Sequence, residues 1–100
     1  MPIPFDKCVR VREDVLVSEL DGESVLLNVK TETYFGLDDV GTRMWTAVTN
    51  ADSIQNAYDS LKEEYDINPD RLREDLSTIL DELQEHGLLE IVMIDLSLAR

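Results

Sequence analysis

The sequence lacks the residues that several common classes of protein require. Among its 100 residues, Cys8 is the single cysteine and His86 the single histidine. An intrachain disulfide is therefore impossible, and neither zinc-ligand spacing nor an EF-hand pattern is present. Basic residues are scarce as well: 9 Lys and Arg stand against 22 Asp and Glu, a formal net charge of −13. Because phosphate contacts need clustered Lys and Arg, this balance argues against nonspecific binding to nucleic acid or anionic lipid.

Long apolar runs and targeting signals are also missing. No stretch approaches the roughly 20 apolar residues of a membrane span. The first residues, Met1 to Asp6, lack the charged start and apolar run of a signal peptide. Hydrophobic residues make up 43% and charged residues 31% of the chain, which is the composition of one globular domain. We expect a soluble, cytoplasmic protein that contacts neither membrane nor nucleic acid.

Nothing in the sequence supports catalysis. Cys8 has no neighbouring base that the sequence can show, and His86 precedes Gly87 at a predicted helix end, where interaction with the helix terminus is expected. The carboxylates are scattered along predicted exposed helix faces, and no Gly-rich loop precedes a helix. We therefore expect a protein that is not an enzyme and that uses no cofactor and no metal.

Three short β-strands are predicted in the first part of the chain. Residues 1–13, with two prolines, are interpreted as a loosely held N-terminal arm. Residues 15–17 then lead to Asp21-Gly22, a hairpin signal. The run 24–29 alternates loosely, with Val25, Leu27 and Val29 on one face, and 33–37 is rich in residues suited to a strand. The pattern predicts an antiparallel meander of three strands.

Three helices are predicted to follow. Asp38 or Asp39 can cap the first, Ser53 caps the second, and Pro69 suits the first turn of the third. Gly87 is expected to end the third helix in the left-handed conformation. The apolar run 88–94 is either a short strand or a tail packed on the sheet. We expect one domain over residues 14–94, a C-terminal tail over 95–100, and an α+β fold in which the last two helices form a helix-turn-helix-like pair.

A helix-turn-helix topology raises the question of DNA binding. The third helix, residues 69–87, contains two arginines, Arg71 and Arg73, against six carboxylates, so phosphate at close range would repel it. A sheet edge is the other candidate. If the third strand is an edge, its unpaired N–H and C=O groups could recruit an extended peptide. The pattern alone equally allows an edge that is blunted by Glu32 or covered by the tail.

The order of these motifs resembles the PqqD-like family, the leader-peptide recognition elements of ribosomal natural-product (RiPP) pathways. The resemblance rests on Val25-Leu26-Leu27-Asn28, then residues 33–38, then Val40-Gly41-Thr42-Arg43-Met44-Trp45, and it continues through 61–67, 75–83 and Gly87-Leu88-Leu89. It covers about residues 15 to 90. Two positions depart from the family pattern, since Asn28 stands where an acidic residue is common and Asp38 where Asn is common.

The resemblance implies a winged helix-turn-helix-like fold, with a three-stranded antiparallel sheet followed by three helices. It also implies a non-catalytic peptide chaperone. The leader of a precursor peptide would add as an antiparallel strand to the third strand and lie against the third helix, and the protein would deliver it to a modifying enzyme. We expect the stand-alone type, without a fused enzyme, which works with radical enzymes of the pyrroloquinoline-quinone kind or with the leader protease of lasso-peptide pathways. The alternative is a winged-helix regulator that binds DNA or protein.

Both lines of reasoning place the peptide at the third strand and one flank of the third helix. By helical spacing, residues 71, 75, 78, 79 and 82 share that flank. We expect Arg71 to pair with a leader carboxylate, Asp75 to pair with a leader Lys or Arg, and Leu76 and Ile79 to floor an apolar pocket. The predicted peptide-binding residues are Thr33, Tyr34, Phe35, Gly36, Leu37, Arg71, Asp75, Leu76 and Ile79.

Overall fold

A computed structural model describes residues 3–93, so the predicted C-terminal tail, 95–100, lies outside the described residues. Strands β2, β3 and β4 form an antiparallel sheet in that order, three helices follow, and β1 pairs with β5 in a second, two-stranded sheet. The α+β prediction of a three-stranded sheet followed by three helices is confirmed. The elements are β1 Cys8–Val11, β2 Val15–Leu20, β3 Glu23–Asn28, β4 Thr33–Leu37, α1 Asp39–Asn50, α2 Ile54–Glu64, α3 Pro69–Glu85 and β5 Leu89–Val92.

Local signals in the sequence account for the turns and helix ends. Asp21 and Gly22 both have positive φ, 55° and 83°, as the tight hairpin between β2 and β3 requires. The helix caps are side-chain acceptors: Asp38 accepts from Gly41 N–H and Ser53 from Asn56 N–H. Gly87, with φ 71°, follows α3 in the left-handed conformation. Of the two aspartates proposed as the first cap, Asp38 has this role.

The helices cover one face of the three-stranded sheet. Leu26 on β3 is completely buried beneath them, together with Leu37 at the end of β4. The face that carries Val25 and Leu27 points the other way, and Val25 is 46% exposed. The helices supply most of the remaining core through residues at three- and four-residue intervals: Met44, Trp45, Val48, Ile54, Ala57, Tyr58, Leu61, Leu72, Leu76, Leu80 and Leu83.

Two polar side chains on the covered face of the sheet bind specific partners. The hydroxyl of Ser24 lies 2.7 Å from that of Thr42 on α1. Asn28 donates from Nδ2 to the carbonyl oxygen of Gly87 at 2.8 Å, and its Oδ1 accepts from the backbone N–H groups of Lys30 and Thr31. Asn28 therefore joins the β3–β4 turn to the end of α3. A buried polar group without such partners would cost about 1–3 kcal/mol.

The first residues are packed more firmly than the sequence predicted. Ile3 and Phe5 are buried in the core, and β1 pairs with β5 from Cys8–Val92 to Val11–Leu89. The interpretation of this segment as a loosely held arm is therefore wrong for residues 3–13, because pairing with the chain after α3 fixes it. The same pairing confirms that the run after Gly87 contains a strand.

Candidate functional site

A groove of about 370 Å³ lies between β4 and α3. Backbone and side chains at the end of β4 form one wall, and the other wall comes from one flank of α3, where side chains recur every three or four residues. The residues that line it are Phe35, Gly36, Leu37, Asp38, Gly41, Asp75, Thr78, Ile79 and Glu82. The groove thus joins the strand and the helix flank that the sequence placed together.

Strand β4 is an edge of the sheet within residues 3–93. Its residues pair with β3 on one side, from Thr33–Asn28 to Leu37–Ser24, and the order β2-β3-β4 places no further described strand beyond it. In an antiparallel strand, successive residues direct their N–H and C=O groups alternately to the two sides. Half of the backbone groups of β4 are therefore available for an added strand, and the groove lies beside them.

The structure brings together five of the nine predicted binding residues. Phe35, Gly36, Leu37, Asp75 and Ile79 all line the groove. The strand register places Thr33 on the same sheet face as Phe35, farther from the groove. Tyr34 is 73% exposed on the opposite face.

The remaining two predicted residues lie on α3, outside the groove lining. Arg71 is exposed one turn before Asp75, and its Nε lies 3.8 Å from Asp75 Oδ2. Leu76 has no exposed surface and belongs to the core. Leu76 therefore supports α3 from the core and does not contact the groove directly.

Four groove residues were not among those predicted. Thr78 and Glu82 share the helix flank with Asp75, so their spacing already signalled them. Asp38 and Gly41 come from the start of α1. The sequence pattern predicted only a capping role for Asp38 and marked neither residue as a binding residue. Gly41 permits a close approach, since a Cβ there would lie 3.2 Å from both Asp38 Oδ1 and Leu37 Cδ2 and 3.3 Å from Ile79 Cδ1. The missing side chain lets α1 approach the apolar floor of the groove.

The groove combines an apolar floor with acidic walls. Phe35, Leu37 and Ile79 supply apolar surface, and Asp75 and Glu82 are exposed carboxylates on the α3 side. Asp38 adds a third carboxylate, although its Oδ1 also accepts the Gly41 N–H at 2.8 Å. No basic residue lines the groove among the described residues, and the contact of Arg71 with Asp75 is long and exposed. Such a groove favours an extended peptide with apolar and basic side chains.

Charged groups elsewhere stabilise the second sheet. Arg10 on β1 and Arg12, just after this strand, both bind Glu90 on β5. A hydrogen bond and the charge of Arg10 hold the pKa of the Glu90 carboxyl below its ordinary value. Within residues 3–93, no three His, Cys, Asp or Glu side chains lie together as metal ligands would. None of the described helices has the length and apolar character needed to cross a bilayer.

A known protein family matches most of this chain. The family model described as Coenzyme PQQ synthesis protein D (PqqD) matches residues 23–89, which include the three-stranded sheet from β3 onward and all three helices. No curated protein sequence matches significantly.

Two solved structures resemble the chain over most of its length. One, TbiB1 in complex with the TbiA(beta) leader peptide, is 32% identical with a TM-score of 0.73, covering 81% of this chain and 94% of that one. The other, lasso peptide synthetase B1 complexed with the leader peptide, is 20% identical with a TM-score of 0.70, covering 82% and 96%. The second likeness shows the fold alone.

Proposed function

This chain belongs to the PqqD family, and on that premise we propose that it is a non-catalytic, cytoplasmic recognition element for the leader of a ribosomally made precursor peptide. The leader would add as an antiparallel strand to β4 and place its side chains in the groove beside α3. The single observation that carries this proposal is the free edge of β4 next to that groove. The neighbour solved with the TbiA(beta) leader supports it, since that protein has the same fold and 32% identity.

The two edges of the sheet differ in a way that favours β4. Strand β2 is the other edge, and Leu16 to Leu20 are all exposed without a flanking helix. Main-chain hydrogen bonds alone are nearly indifferent to sequence, so recognition needs side-chain pockets beside the added strand. Within the described residues, β4 has such a pocket on its helix side. The leader is therefore assigned to β4.

The proposed partner enzyme is the one that processes the precursor. Both structural neighbours are B1 proteins in complex with leader peptides, and one is described as a lasso peptide synthetase component. The two candidates are a leader protease of a lasso-peptide pathway and a radical enzyme of the pyrroloquinoline-quinone kind. This chain would hold the leader while the partner acts on the precursor.

DNA binding, the alternative from topology, receives no support from α3. Of its two arginines, Arg73 places its guanidinium 4.0 Å from the ring centre of Phe5, and Arg71 lies beside Asp75. Exposed carboxylates dominate the rest of the helix surface. Affinity for duplex DNA tighter than ~1 μM at physiological salt, lost on reversing the charges of Arg71 and Arg73, would favour the regulator instead.

Hydrogen exchange with a synthetic leader of the precursor encoded beside this chain tests the proposal. Because backbone groups alternate along β4, we expect slower exchange at every second amide between Thr33 and Leu37, the set that does not already bond to β3. The amides of β2 provide the matched control edge and should be unaffected. A scrambled leader of the same composition should protect neither edge. Protection confined to β2 or to α1 would contradict strand addition at β4.

A further inference from the structure

The sheet face that points away from the helices, here called the outer face, is unusually apolar. The strand register places its residues in cross-strand rows, with Leu16, Leu27 and Tyr34 in one row and Ser18, Val25 and Gly36 in the next. Leu16 is 60% exposed, Val25 46% and Tyr34 73%. Leu20, at the end of β2, is 76% exposed on the same face. No described element covers these side chains.

The outer face also has a concave region. A depression of about 540 Å³ lies over Ser18, Leu20, Val25 and Gly36 and reaches the end of β4 at Leu37 and Asp38. Gly36 helps to create it, because a Cβ at this position would meet no atom within 4 Å. This depression shares Gly36, Leu37 and Asp38 with the groove beside α3, and from them it extends across β3 to Ser18 and Leu20 of β2, away from α3. It suits an inserted side chain from another molecule.

Charge at the margin of the outer face identifies the kind of partner. Asp21 and Glu23 lie at the β2–β3 hairpin and Glu32 precedes β4, whereas at the start of β2 Asp14 lies near Lys30, Arg10 and Arg12. A second copy of this chain would bring the same acidic margin and a formal charge of −13 to the contact, which opposes self-association. A partner surface that is apolar and bordered by Lys and Arg would complement both the apolar outer face and its acidic margin.

The outer face adjoins the proposed leader-binding edge. A peptide added to β4 would extend the same sheet, and every second peptide side chain would lie beside Tyr34 and Gly36 on the outer face. We propose that the outer face is the docking surface for the precursor-processing enzyme, which contacts it through an apolar patch bordered by basic residues and contacts the added leader strand at the same time. The identity of this partner rests on the proposed function. The enzyme then binds more tightly to the leader-loaded chain than to the free chain.

Two valines provide a matched test. Val25 and Val17 are 46% and 47% exposed, and the register places them on opposite faces of the same sheet. The probe is the purified processing enzyme encoded beside this chain, titrated with the leader-loaded protein. We expect Val25→Lys to weaken enzyme binding at least tenfold and Val17→Lys to change it less than twofold. Leader affinity, measured separately by titration, should stay within twofold of wild type in both variants.

A second, less disruptive pair of substitutions keeps the test valid if a lysine at position 25 disturbs folding. Leu16→Thr removes an apolar side chain from the outer face, and Val17→Thr introduces the same hydroxyl on the other face. Enzyme affinity that falls for Leu16→Thr but not for Val17→Thr supports the proposal.

Equal effects of the paired variants, or no enzyme binding to the leader-loaded wild type, would overturn it. So would a dimer in sedimentation that Leu16→Thr dissociates, because the face would then serve self-association. If the leader titration fails while enzyme binding still maps to Leu16 and Val25, the leader-binding function is wrong and the docking surface stands.

Discussion

Phe35 and His86 form an edge-to-face pair, with ring centres 5.2 Å apart and 69° between the ring planes. Phe35 lies on β4 and His86 directly follows α3, so the pair joins the two walls of the groove at one end. The imidazole is also fixed to the helix, because His86 Nδ1 donates to the carbonyl oxygen of Glu82 at 2.7 Å. The histidine therefore has the helix-end role that the sequence predicted, and it also positions a groove residue.

Removing the imidazole should loosen this end of the groove. We expect His86→Ala to lower the free energy of unfolding by about 0.5–1.5 kcal/mol, the usual size of an aromatic pair contribution, and to weaken leader binding because Phe35 is released. Urea unfolding and leader titration measure the two effects. Gln84→Ala, an exposed change in the same helical turn, is the control and should alter neither quantity. Unchanged leader affinity in His86→Ala would show that Phe35 needs no support from the helix.

Asp75 is expected to attract a basic leader residue by its charge. Such attraction raises the association rate and is screened by salt, while backbone pairing and apolar contacts mainly set dissociation. The on-rate of the wild type should therefore fall between low and physiological salt while the off-rate changes little. Asp75→Asn should flatten that salt dependence and weaken binding by about 0.2–1 kcal/mol, the range of an exposed pair. Stopped-flow measurements at two salt concentrations test this.

A control for Asp75 is available on the same helix. Asp81 is also exposed on α3 but does not line the groove, so Asp81→Asn removes the same charge at a greater distance from the peptide. It should keep most of the salt dependence. If both variants show the same slope, net charge rather than Asp75 attracts the leader.

A substitution at Gly41 tests whether the leader contacts the floor of the groove. Alanine normally stabilises a helix interior by up to about 1 kcal/mol relative to glycine. Here the added Cβ would lie 3.2 Å from Asp38 Oδ1 and Leu37 Cδ2 and 3.3 Å from Ile79 Cδ1, so these neighbours, which all line the groove, must give way by a few tenths of an ångström. We expect Gly41→Ala to leave stability within about 1 kcal/mol of wild type but to reduce leader affinity several-fold. Thermal unfolding and titration separate these outcomes, and an unchanged affinity would mean that the peptide does not contact the groove floor.

A substitution at Asn28 tests the hydrogen bond from its Nδ2 to Gly87 O, which links the sheet to the end of α3. Asn28→Asp replaces the Nδ2 donor that faces Gly87 O with an acceptor, while the other oxygen can still accept from Lys30 and Thr31. We expect a loss of about 1–3 kcal/mol at pH 7. The deficit should shrink as pH falls toward 4, because the protonated acid can donate again. In sign, we expect burial and the facing Gly87 oxygen to raise the folded-state pKa of the introduced acid by more than the Lys30 and Thr31 N–H groups lower it, so stability is lost as pH rises from the unfolded-state pKa to the folded-state pKa.

The matched control for Asn28 is Asn50→Asp. Asn50 Nδ2 also donates to a carbonyl oxygen at 2.8 Å, that of Thr46, but at an exposed helix end. Water can replace this lost partner, so the same substitution should cost much less and depend little on pH. Chemical unfolding of both variants at pH 4.5 and pH 7 makes the comparison. Equal costs would show that the amide of Asn28 is not a structural link.

Much of the fold could be predicted because its signals are local. Caps at Asp38 and Ser53, the Asp21-Gly22 turn and the glycine after α3 each act within a few residues, and the helices bury the residues that their spacing marks. The acidic flank of α3 was equally visible, since i, i+3 and i+4 positions share a helix face whatever the rest of the chain does. By itself, the sequence thus determined β2 to β4, the three helices, their order and the charge of one groove wall.

Tertiary structure decided what depends on residues far apart in the chain. The pairing of β1 with β5 joins segments on either side of the whole domain, and no local pattern specifies it. The face of β3 that carries Val25 and Leu27 is more apolar than the face that carries Ser24, Leu26 and Asn28, so alternation could not show that the helices cover Leu26 and leave Val25 exposed. The contact of Gly41 with Ile79 also needs α1 and α3 in place. Periodicity determines which residues share a face, but packing alone determines what that face meets.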